Sequence, residues 1–194
     1  MKNADIRVRF TRKALQDSLL ALMKEKSILD ITVKEICGTA GISRPTFYTY
    51  YKDQYDLLRQ IEEQTLIEAE KIIFSPINTA GKSGGLEAAV ILQGLLQYIA
   101  DNSNSIQVLL SENGNSGFQK KFFRRGAGNI RRLTEAAGVA SQDKAARYGF
   151  VFMIGGMLTL VQEWLKNGMD APVPEMVKVL IRFTREALGE RGLH

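Results

Sequence analysis

Apolar positions recur every three to four residues along nearly the whole chain, which is the spacing of one face of an α-helix. Four such positions share a stripe and predict a first helix over 11–26, with Thr11 as its N-cap: Leu15, Leu19, Leu22 and Met23. No stretch has the sustained alternation of apolar and polar residues that a strand shows. The pattern therefore predicts an all-α protein of about nine helices.

A capping pattern delimits the second helix. Thr32 is followed three residues later by Glu35, which is the spacing of a capping box, and the pair predicts a short helix over 33–40. Gly41 then ends this helix, because glycine readily takes up the left-handed conformation that often follows a helix. Ser43 comes two residues later and predicts the start of a third short helix.

Prolines, glycines and capping residues punctuate the rest of the chain. Pro45 fits the first turn of the third helix, where its missing N–H has no helical partner in any case. Asp53 predicts the start of a long fourth helix that reaches residue 74, and Ser75–Gly85 has the composition of a linker. Five further helices are predicted at 86–100, 103–112, 116–137, 142–167 and 174–189.

The net charge of the chain is concentrated in its first quarter. The chain has 26 Lys and Arg and 21 Asp and Glu residues; residues 1–52 hold ten basic and five acidic ones, so the remainder is neutral. A basic head on a neutral body is typical of a protein that binds a polyanion with one part and does another job with the other. We therefore predict a polyanion-binding domain at 1–53, a connecting helix at 54–74 and a second helical domain at 75–194.

The stretch TVKEICGTAGISRPTFYTYYK, residues 32–52, has the form of a helix-turn-helix, since two short helices flank a turn that contains glycine. In that motif the second helix enters the major groove of double-stranded DNA, and its N-terminal side chains reach base edges. Four side chains hold that place: Ser43, Arg44, Pro45 and Thr46. An arginine can bind guanine through a bidentate fork. The hydroxyl side chains that follow suit phosphate oxygens: Tyr48, Thr49 and Tyr50.

At these residues the chain resembles the TetR/AcrR family of transcriptional regulators. The segment GISRPTFYTYYKDQYDLL, residues 41–58, is similar to the family's recognition helix and the start of its fourth helix. The preceding helix matches as well, so the resemblance covers roughly residues 10–60. It implies that eight residues lie on the family's DNA-contacting positions: Thr32, Lys34, Arg44, Pro45, Thr46, Tyr48, Thr49 and Tyr50.

Two positions depart from the family's pattern. Tyr51 stands where the family usually has Phe; with Phe47, four residues earlier, it is predicted to lie in the core. Gln54 stands where the family usually has a Lys that holds a phosphate, and Lys52 is a substitute for that charge. Residues 109–122 also resemble a subgroup that includes regulators of dihydroxyacetone utilisation, which is a hint about the fold.

The apolar run at 149–165 predicts a helix that is buried on most sides, partly across a homodimer interface. The resemblance agrees, because TetR-type proteins dimerise through their last two long helices. The interface candidates are Phe152, Gly155, Gly156, Leu160, Met176, Leu180, Phe183 and Leu188. Aromatic and Met residues are candidates to line a pocket for an apolar or planar effector: Tyr98, Phe122, Phe123, Tyr148, Phe152, Met153, Met157 and Trp164.

The resemblance implies a ligand-responsive repressor, because repression is the family's usual mode. Its dimer is expected to bind an operator of two half-sites and to be released by a small-molecule effector. The alternative is a TetR-like module that acts by binding another protein, without an effector. The basic residues at 120–132 fit a solvated helix face, with an anionic-ligand site or an acidic partner surface as minority interpretations.

Other classes of protein are disfavoured by what the sequence lacks. A lone His194 and a lone Cys37 offer no basis for a disulfide framework, a metal site or a His-based catalytic site, so we expect no enzyme and no cofactor. Cys37 fits a small buried residue better than a redox switch. The AGKS sequence at 80–83 lacks the earlier glycine and the strand of a P-loop. With no signal peptide and no run long enough to span a membrane, we expect a cytoplasmic protein.

Overall fold

The computed structural model describes residues 2–74, 84–111, 117–122, 124–125 and 144–187. Within these ranges the chain forms nine α-helices and one 3₁₀ turn at Ile28–Asp30, and it forms no strand. The helices are α1 Lys2–Met23, α2 Val33–Ala40, α3 Arg44–Tyr50, α4 Gln54–Phe74, α5 Gly84–Asp101, α6 Ser103–Leu110, α7 at 117–122 and 124–125, α8 Lys144–Lys166 and α9 Val173–Ala187. The predicted all-α fold is confirmed. None of the described helices is long and apolar enough to cross a membrane.

The second helix begins and ends where the capping pattern predicts. Thr32 Oγ1 accepts a hydrogen bond from the backbone N–H of Glu35 at 3.3 Å, and the Thr32 N–H donates to Glu35 Oε2 at 2.9 Å. Gly41 has a φ of +66°, in the left-handed region. The next N–H, that of Ile42, reaches back to the carbonyl oxygen of Cys37 at 3.0 Å and closes the end of α2.

The starts of α3 and α4 are confirmed as well. Ser43 Oγ accepts the backbone N–H of Thr46 at 3.3 Å, and Pro45 lies in the first turn of α3. Asp53 Oδ1 accepts the backbone N–H of Asp56 at 2.7 Å. Each cap satisfies a backbone donor that the first turn of a helix leaves without a partner.

The predicted ends of α1 and the predicted start of α5 are wrong. α1 begins at Lys2 instead of at Thr11 and ends at Met23 instead of at residue 26. Side chains 6–10 are exposed, so the apolar stripe does not extend over them, yet this stretch has no glycine or proline that would end a helix. Gly84 and Gly85, the last residues of the predicted linker, already belong to α5. Residues 75–83 of that linker, which include AGKS, and residues 126–137 of the predicted helix at 116–137 lie outside the described residues.

The described residues form two compact units. The first comprises the residues up to Glu68 together with those from Asn104 to Phe118. In it α1 packs on α2 and α2 packs on α3 around fully buried side chains: Leu15, Leu19, Met23, Ile36, Phe47 and Leu57. Lys24, the residue after α1, donates from Nζ to Asn104 Oδ1 on α6 at 3.0 Å.

In the second unit, which comprises Ala69–Ser103 and the described residues from Gln119 onward, α9 packs on both α5 and α8. Two consecutive left-handed residues, Gly168 and Met169, follow the end of α8. These compact units do not coincide with the predicted functional domains at 1–53 and 75–194, because most of α6 belongs to the first unit. The boundaries of the functional domains stay a prediction.

Candidate nucleic-acid interface

The N-terminal end of α3 points away from the core of the first unit. Ser43, Arg44 and Pro45 are exposed and Thr46 is half-buried. The Arg44 guanidinium has no hydrogen-bond or ion-pair partner among the residues that the structure describes. An arginine in that state carries five donors that a base edge or a phosphate can take up.

The short hydroxyl side chains of this surface bond within the protein. Ser43 Oγ and Thr46 Oγ1 share a hydrogen bond of 2.8 Å, and Thr49 Oγ1 donates to the carbonyl oxygen of Pro45 at 3.2 Å. Thr32 Oγ1 donates to Glu35 Oε2 at 2.8 Å. Thr32 and Ser43 thus cap the N-terminal ends of α2 and α3, and the Thr49 hydroxyl bonds the backbone within α3.

Aromatic residues divide α3 into a buried and an exposed face. Phe47 is fully buried and Tyr51 is 2% exposed, which confirms that both lie in the core. The rings of Phe47 and Tyr48 meet edge to face at 5.5 Å between centroids, and Tyr48 remains 53% exposed. Tyr50 is half-buried, and Tyr55, on α4, is exposed. Tyr48 thus lies on the exposed side of α3, four residues after the exposed Arg44.

Further cations flank this surface. Lys34 on α2 and Lys52 after α3 are both exposed, while Gln54 is half-buried. The backbone N–H of Lys52 donates to Asp56 Oδ2 at 3.1 Å, which lowers the pKa of Asp56 and fixes the turn that carries Lys52. Arg59 and Gln60 also donate to this carboxylate, so Asp56 is neutralised within α4 and the Lys52 charge stays available.

A carboxylate lies beside the start of α2 and is held by its own partners. The hydrogen bond from Lys26 is the largest influence on Glu35, followed by the bonds from the backbone and hydroxyl of Thr32. Together they lower the pKa of Glu35 from 4.5 to about 2. Glu35 is therefore ionised at neutral pH, and its charge is balanced by Lys26 before any DNA approaches.

Cys37 lies in α2 with its side chain buried. Burial raises the pKa of its thiol, and the nearby Arg44 only partly opposes this. A buried thiol with a raised pKa is the state of a structural cysteine rather than of a redox sensor.

The predicted effector-pocket residues occupy different environments. Tyr98, Phe122 and Met157 are half-buried in the second unit. Trp164 is buried and its indole N–H donates to the carbonyl oxygen of Ala171 at 2.8 Å, so it belongs to the core of that unit. Tyr148 and Phe152 are exposed. Phe123 and the side chain of Met153 lie outside the described residues.

The predicted dimer-interface residues divide in the same way. Phe152 is 73% exposed on α8 and Phe183 is 55% exposed on α9. A Cβ atom at Gly155 or Gly156 would meet no other atom within 4 Å, and Leu160 is half-buried. Met176 and Leu180 are buried within the single chain, which leaves little of them for a second subunit. Leu188 lies outside the described residues.

The basic segment after α6 contributes in part to the fold. Arg125 forms an ion pair with Glu70 at 3.5 Å inside the second unit. Lys120 and Arg124 are exposed and Lys121 is half-buried, while Arg131 and Arg132 lie outside the described residues. The described residues hold no cluster of His, Cys, Asp and Glu side chains that could bind a metal ion.

Sequence reasoning missed a polar network that joins α1 to the residues after α3. Arg12 Nε donates to Tyr51 Oη at 3.4 Å, and Arg12 Nη2 donates to Gln60 Oε1 at 3.0 Å. The amide of Gln60 donates in turn to Asp56 Oδ2 at 3.3 Å. The one available signal was the hydroxyl of Tyr51 at a position where the resembling family usually has Phe.

These features define a class of protein: an all-α chain whose helix-turn-helix presents the N-terminal end of its second helix to the outside. The family model TetR_C_8, described as a transcriptional regulator C-terminal region, matches residues 88–186, just over half of the chain. An uncharacterised HTH-type transcriptional regulator of Haemophilus influenzae is 24% identical over 176 residues, which cover 89% of this chain and 84% of the relative.

Solved structures share the fold. The fatty acid degradation regulator FadR of Bacillus halodurans has a TM-score of 0.69 at 16% identity, covering 93% of this chain and 96% of that one. FadR of Bacillus subtilis, solved in complex with stearoyl-CoA, has a TM-score of 0.63 at 17% identity, covering 89% and 96%. The dihydroxyacetone kinase operon activator DhaS has a TM-score of 0.60 at 18% identity, covering 92% and 96%.

The chain belongs to the TetR family of transcriptional regulators. Members of this family bind DNA and dimerise, and they are not enzymes. The resemblance drawn from the sequence is confirmed, and the likeness to DhaS agrees with the subgroup hint as regards the fold.

Proposed function

We propose that this protein is a dimeric repressor that reads an operator of two half-sites with α3 and leaves it when a small-molecule effector binds. The observation that carries the proposal is the exposed N-terminal end of α3, where the Arg44 guanidinium has no partner among the described residues. The net charge of +5 resides in residues 1–52, so the phosphate backbone attracts this part of the chain.

The proposed roles follow from the environment of each side chain. Arg44 reads a base edge, and Pro45 and Thr46 pack beside it in the groove. Tyr48, Lys34 and Lys52, all exposed, contact phosphates. The remaining predicted residues with hydroxyl groups are given supporting roles at the helix ends and in the wall of the interface: Thr32, Ser43, Thr49 and Tyr50.

Dimerisation is proposed to bury the exposed apolar face of α8 and α9. Phe152 and Phe183 are large apolar side chains that a single chain leaves in water, and Gly155 and Gly156 leave room for a close helix approach. A two-fold dimer would present two copies of α3, which is why an operator of two half-sites is proposed.

The effector is proposed to be apolar and to bind in the second unit near Tyr98, Phe122 and Met157. Their half-buried aromatic and thioether side chains suit an apolar ligand. The structure of Bacillus subtilis FadR with stearoyl-CoA makes long-chain acyl-CoA the first ligand to test. Binding would shift the dimer toward a state whose two heads no longer match the operator spacing. Acting on DNA, the protein would work in the cytoplasm.

The test is fluorescence anisotropy with a labelled duplex taken from the DNA just upstream of the protein's own coding region, compared with a scrambled duplex over a salt series. We expect specific binding to the native duplex that Arg44→Ala weakens by about 1–3 kcal/mol. Lys178→Ala removes one exposed positive charge from the second unit and serves as the matched control. Acyl-CoA is then titrated into the wild-type complex, and release of the duplex is expected.

Each other outcome has a defined meaning. An unchanged affinity of Arg44→Ala for the native duplex would contradict base reading by α3. Equal and steeply salt-dependent binding to both duplexes would mean that the protein binds this DNA through its phosphates alone and reads no sequence there. No binding at moderate salt would favour the alternative, a co-regulator that binds another protein without an effector, and a pull-down would follow.

A further inference from the structure

The end of α3 is held by a polar network that starts on α1. Tyr51 follows α3 directly, and its backbone N–H donates to the carbonyl oxygen of Phe47 at 3.0 Å. Its ring is 2% exposed, but its hydroxyl accepts a hydrogen bond from Arg12 Nε at 3.4 Å. The Arg12 guanidinium also lies over that ring, 5.9 Å from its centroid, within the range of a cation–π contact.

A second arm of the network reaches the next residue along the chain. Arg12 Nη2 donates to Gln60 Oε1 at 3.0 Å, and Gln60 Nε2 donates to Asp56 Oδ2 at 3.3 Å. The same carboxylate oxygen accepts the backbone N–H of Lys52 at 3.1 Å. One guanidinium on α1 is therefore connected to residues 51 and 52 by two separate paths. A planar fork with several donors can hold two partners in one geometry, which a lysine cannot.

From this arrangement we propose that Arg12 is a positioning residue for DNA reading: through Tyr51 and Gln60 it fixes the C-terminal end of α3 and thereby the direction in which Arg44 points. The proposal rests on the proposed function of α3. It also gives a physical reason for Tyr51 where the resembling family usually has Phe, because only the tyrosine has a hydroxyl to receive Arg12.

Arg12 is itself exposed, and direct contact with a phosphate is the competing role. The two roles differ in charge dependence. A cation that contacts a phosphate releases counterions from the DNA. Its loss therefore reduces the magnitude of the slope of log K against log salt by about 0.9. A positioning residue changes the affinity for the specific duplex and leaves that slope and the affinity for a scrambled duplex unchanged.

The experiment measures the affinity of full-length variants for the operator duplex and for a scrambled duplex over a salt series, with a thermal melt of each variant. Arg12→Lys keeps the charge and loses the fork, Tyr51→Phe loses only the hydroxyl, and Gln60→Leu breaks the second arm. The matched control is Gln64→Leu, one turn further along α4. Gln64 donates to Glu68 on its own helix at 2.7 Å, a link that does not reach α1.

We expect each of the three test variants to bind the operator about 2- to 10-fold more weakly at an unchanged salt slope, which is the range for one or two hydrogen bonds. The scrambled duplex and the Gln64→Leu control should show wild-type affinities. Arg12→Lys combined with Tyr51→Phe should weaken binding by less than the product of the two single effects, because both remove the same bond.

Three results would overturn the proposal while leaving the function of α3 intact. The first is wild-type operator affinity in Arg12→Lys and Tyr51→Phe. The second comes from one added variant, Arg12→Gln, which loses the charge as well as the fork. If the magnitude of its salt slope falls by about 0.9 while Tyr51→Phe has no effect, Arg12 is assigned to a phosphate. The third is a lowered melting temperature with unchanged affinity well below it, which would make the network purely structural. Failure of the wild-type protein to bind any duplex would instead refute the proposed function.

Discussion

Ser43 caps α3 and also lies on the surface that is proposed to face DNA. Substitutions at this position can therefore separate the stability of α3 from its affinity for DNA. Its Oγ accepts the backbone N–H of Thr46 and also shares a hydrogen bond with the Thr46 hydroxyl. Asn and Asp cap a helix about as well as Ser, whereas Ala cannot. Ser43→Ala therefore removes the cap, Ser43→Asn keeps it, and Ser43→Asp keeps it while adding a negative charge to the surface proposed to face DNA.

The magnitudes follow from the geometry. An N-cap Ser replaced by Ala costs about 0.5–2 kcal/mol, and a 3.3 Å bond is at the long end for an N–H donor, so we expect about 1 kcal/mol. For a chain of this size that lowers the melting temperature by about 2–4 °C. An aspartate about 6 Å from a phosphate costs roughly 0.7–3 kcal/mol at effective dielectric constants between 80 and 20, or about 3- to 150-fold in affinity.

Thermal melts of the three variants and anisotropy titrations against the operator duplex measure both quantities. We expect Ser43→Asn and Ser43→Asp to melt with the wild type, with Asp slightly higher because a negative charge is favourable at a helix N-terminus. On DNA, Asp should bind far more weakly than Asn, and the difference should shrink as salt rises. If Asp melted as low as Ala, the capping role would be refuted; if Asp bound DNA as tightly as Asn, this end of α3 would not face phosphates.

Three further predictions concern separate parts of the molecule. Gly38→Ala should raise the unfolding free energy by about 0.5–1 kcal/mol, because a Cβ atom there meets nothing within 4 Å inside a helix. At Gly41 a Cβ atom also meets nothing within 4 Å, but the φ of +66° is unfavourable for alanine, so Gly41→Ala should lower the unfolding free energy by about 1–2 kcal/mol. Urea titrations of both variants check that the two changes in unfolding free energy have opposite signs. The pKa of Glu35 is lowered from 4.5 to about 2, so its charged form stabilises the fold above about pH 4.5 and that stabilisation is lost as the pH falls toward 2. The stability difference between wild type and Glu35→Gln should thus be constant above pH 5 and should shrink below it; a constant difference down to pH 2 would contradict the bonds assigned to Glu35. Phe152→Glu should convert the proposed dimer to a monomer in analytical ultracentrifugation. Leu29→Glu, at a comparably exposed position of the first unit, should leave the wild-type assembly unchanged; a dimeric Phe152→Glu would place the interface elsewhere.

The limits of α2 and α3 could be predicted from the sequence because capping is local. Thr32 with Glu35, and Ser43 with Thr46, are three residues apart, so the partners meet whenever the helix forms. The burial of Phe47 and Tyr51 followed for the same reason, since helical periodicity brings positions four residues apart to one face. The proposed DNA-contacting positions belong to the same short segment, which could be recognised without knowing what packs around it.

The start of α1 could not be predicted from an apolar stripe. Residues 6–10 form helix although their side chains are exposed, so no pattern of burial marks them. A helix can extend beyond its buried face when no glycine or proline ends it, because each added residue continues the backbone hydrogen bonding of the helical turns already formed. The same limit applies to Gly84 and Gly85, whose composition suggested a linker and which begin α5.

Periodicity shows that a helix has an apolar face, but it does not show what covers that face. Met176 and Phe183 were grouped as interface residues by sequence, yet Met176 is buried within the chain and Phe183 is exposed. Likewise, Arg12 lies 39 residues from Tyr51 and 48 from Gln60 along the chain. Local bonds within one helix depend only on the order of residues, and the sequence determines them by itself. Contacts between helices depend on how whole elements pack, because only the folded chain brings distant residues within bonding distance.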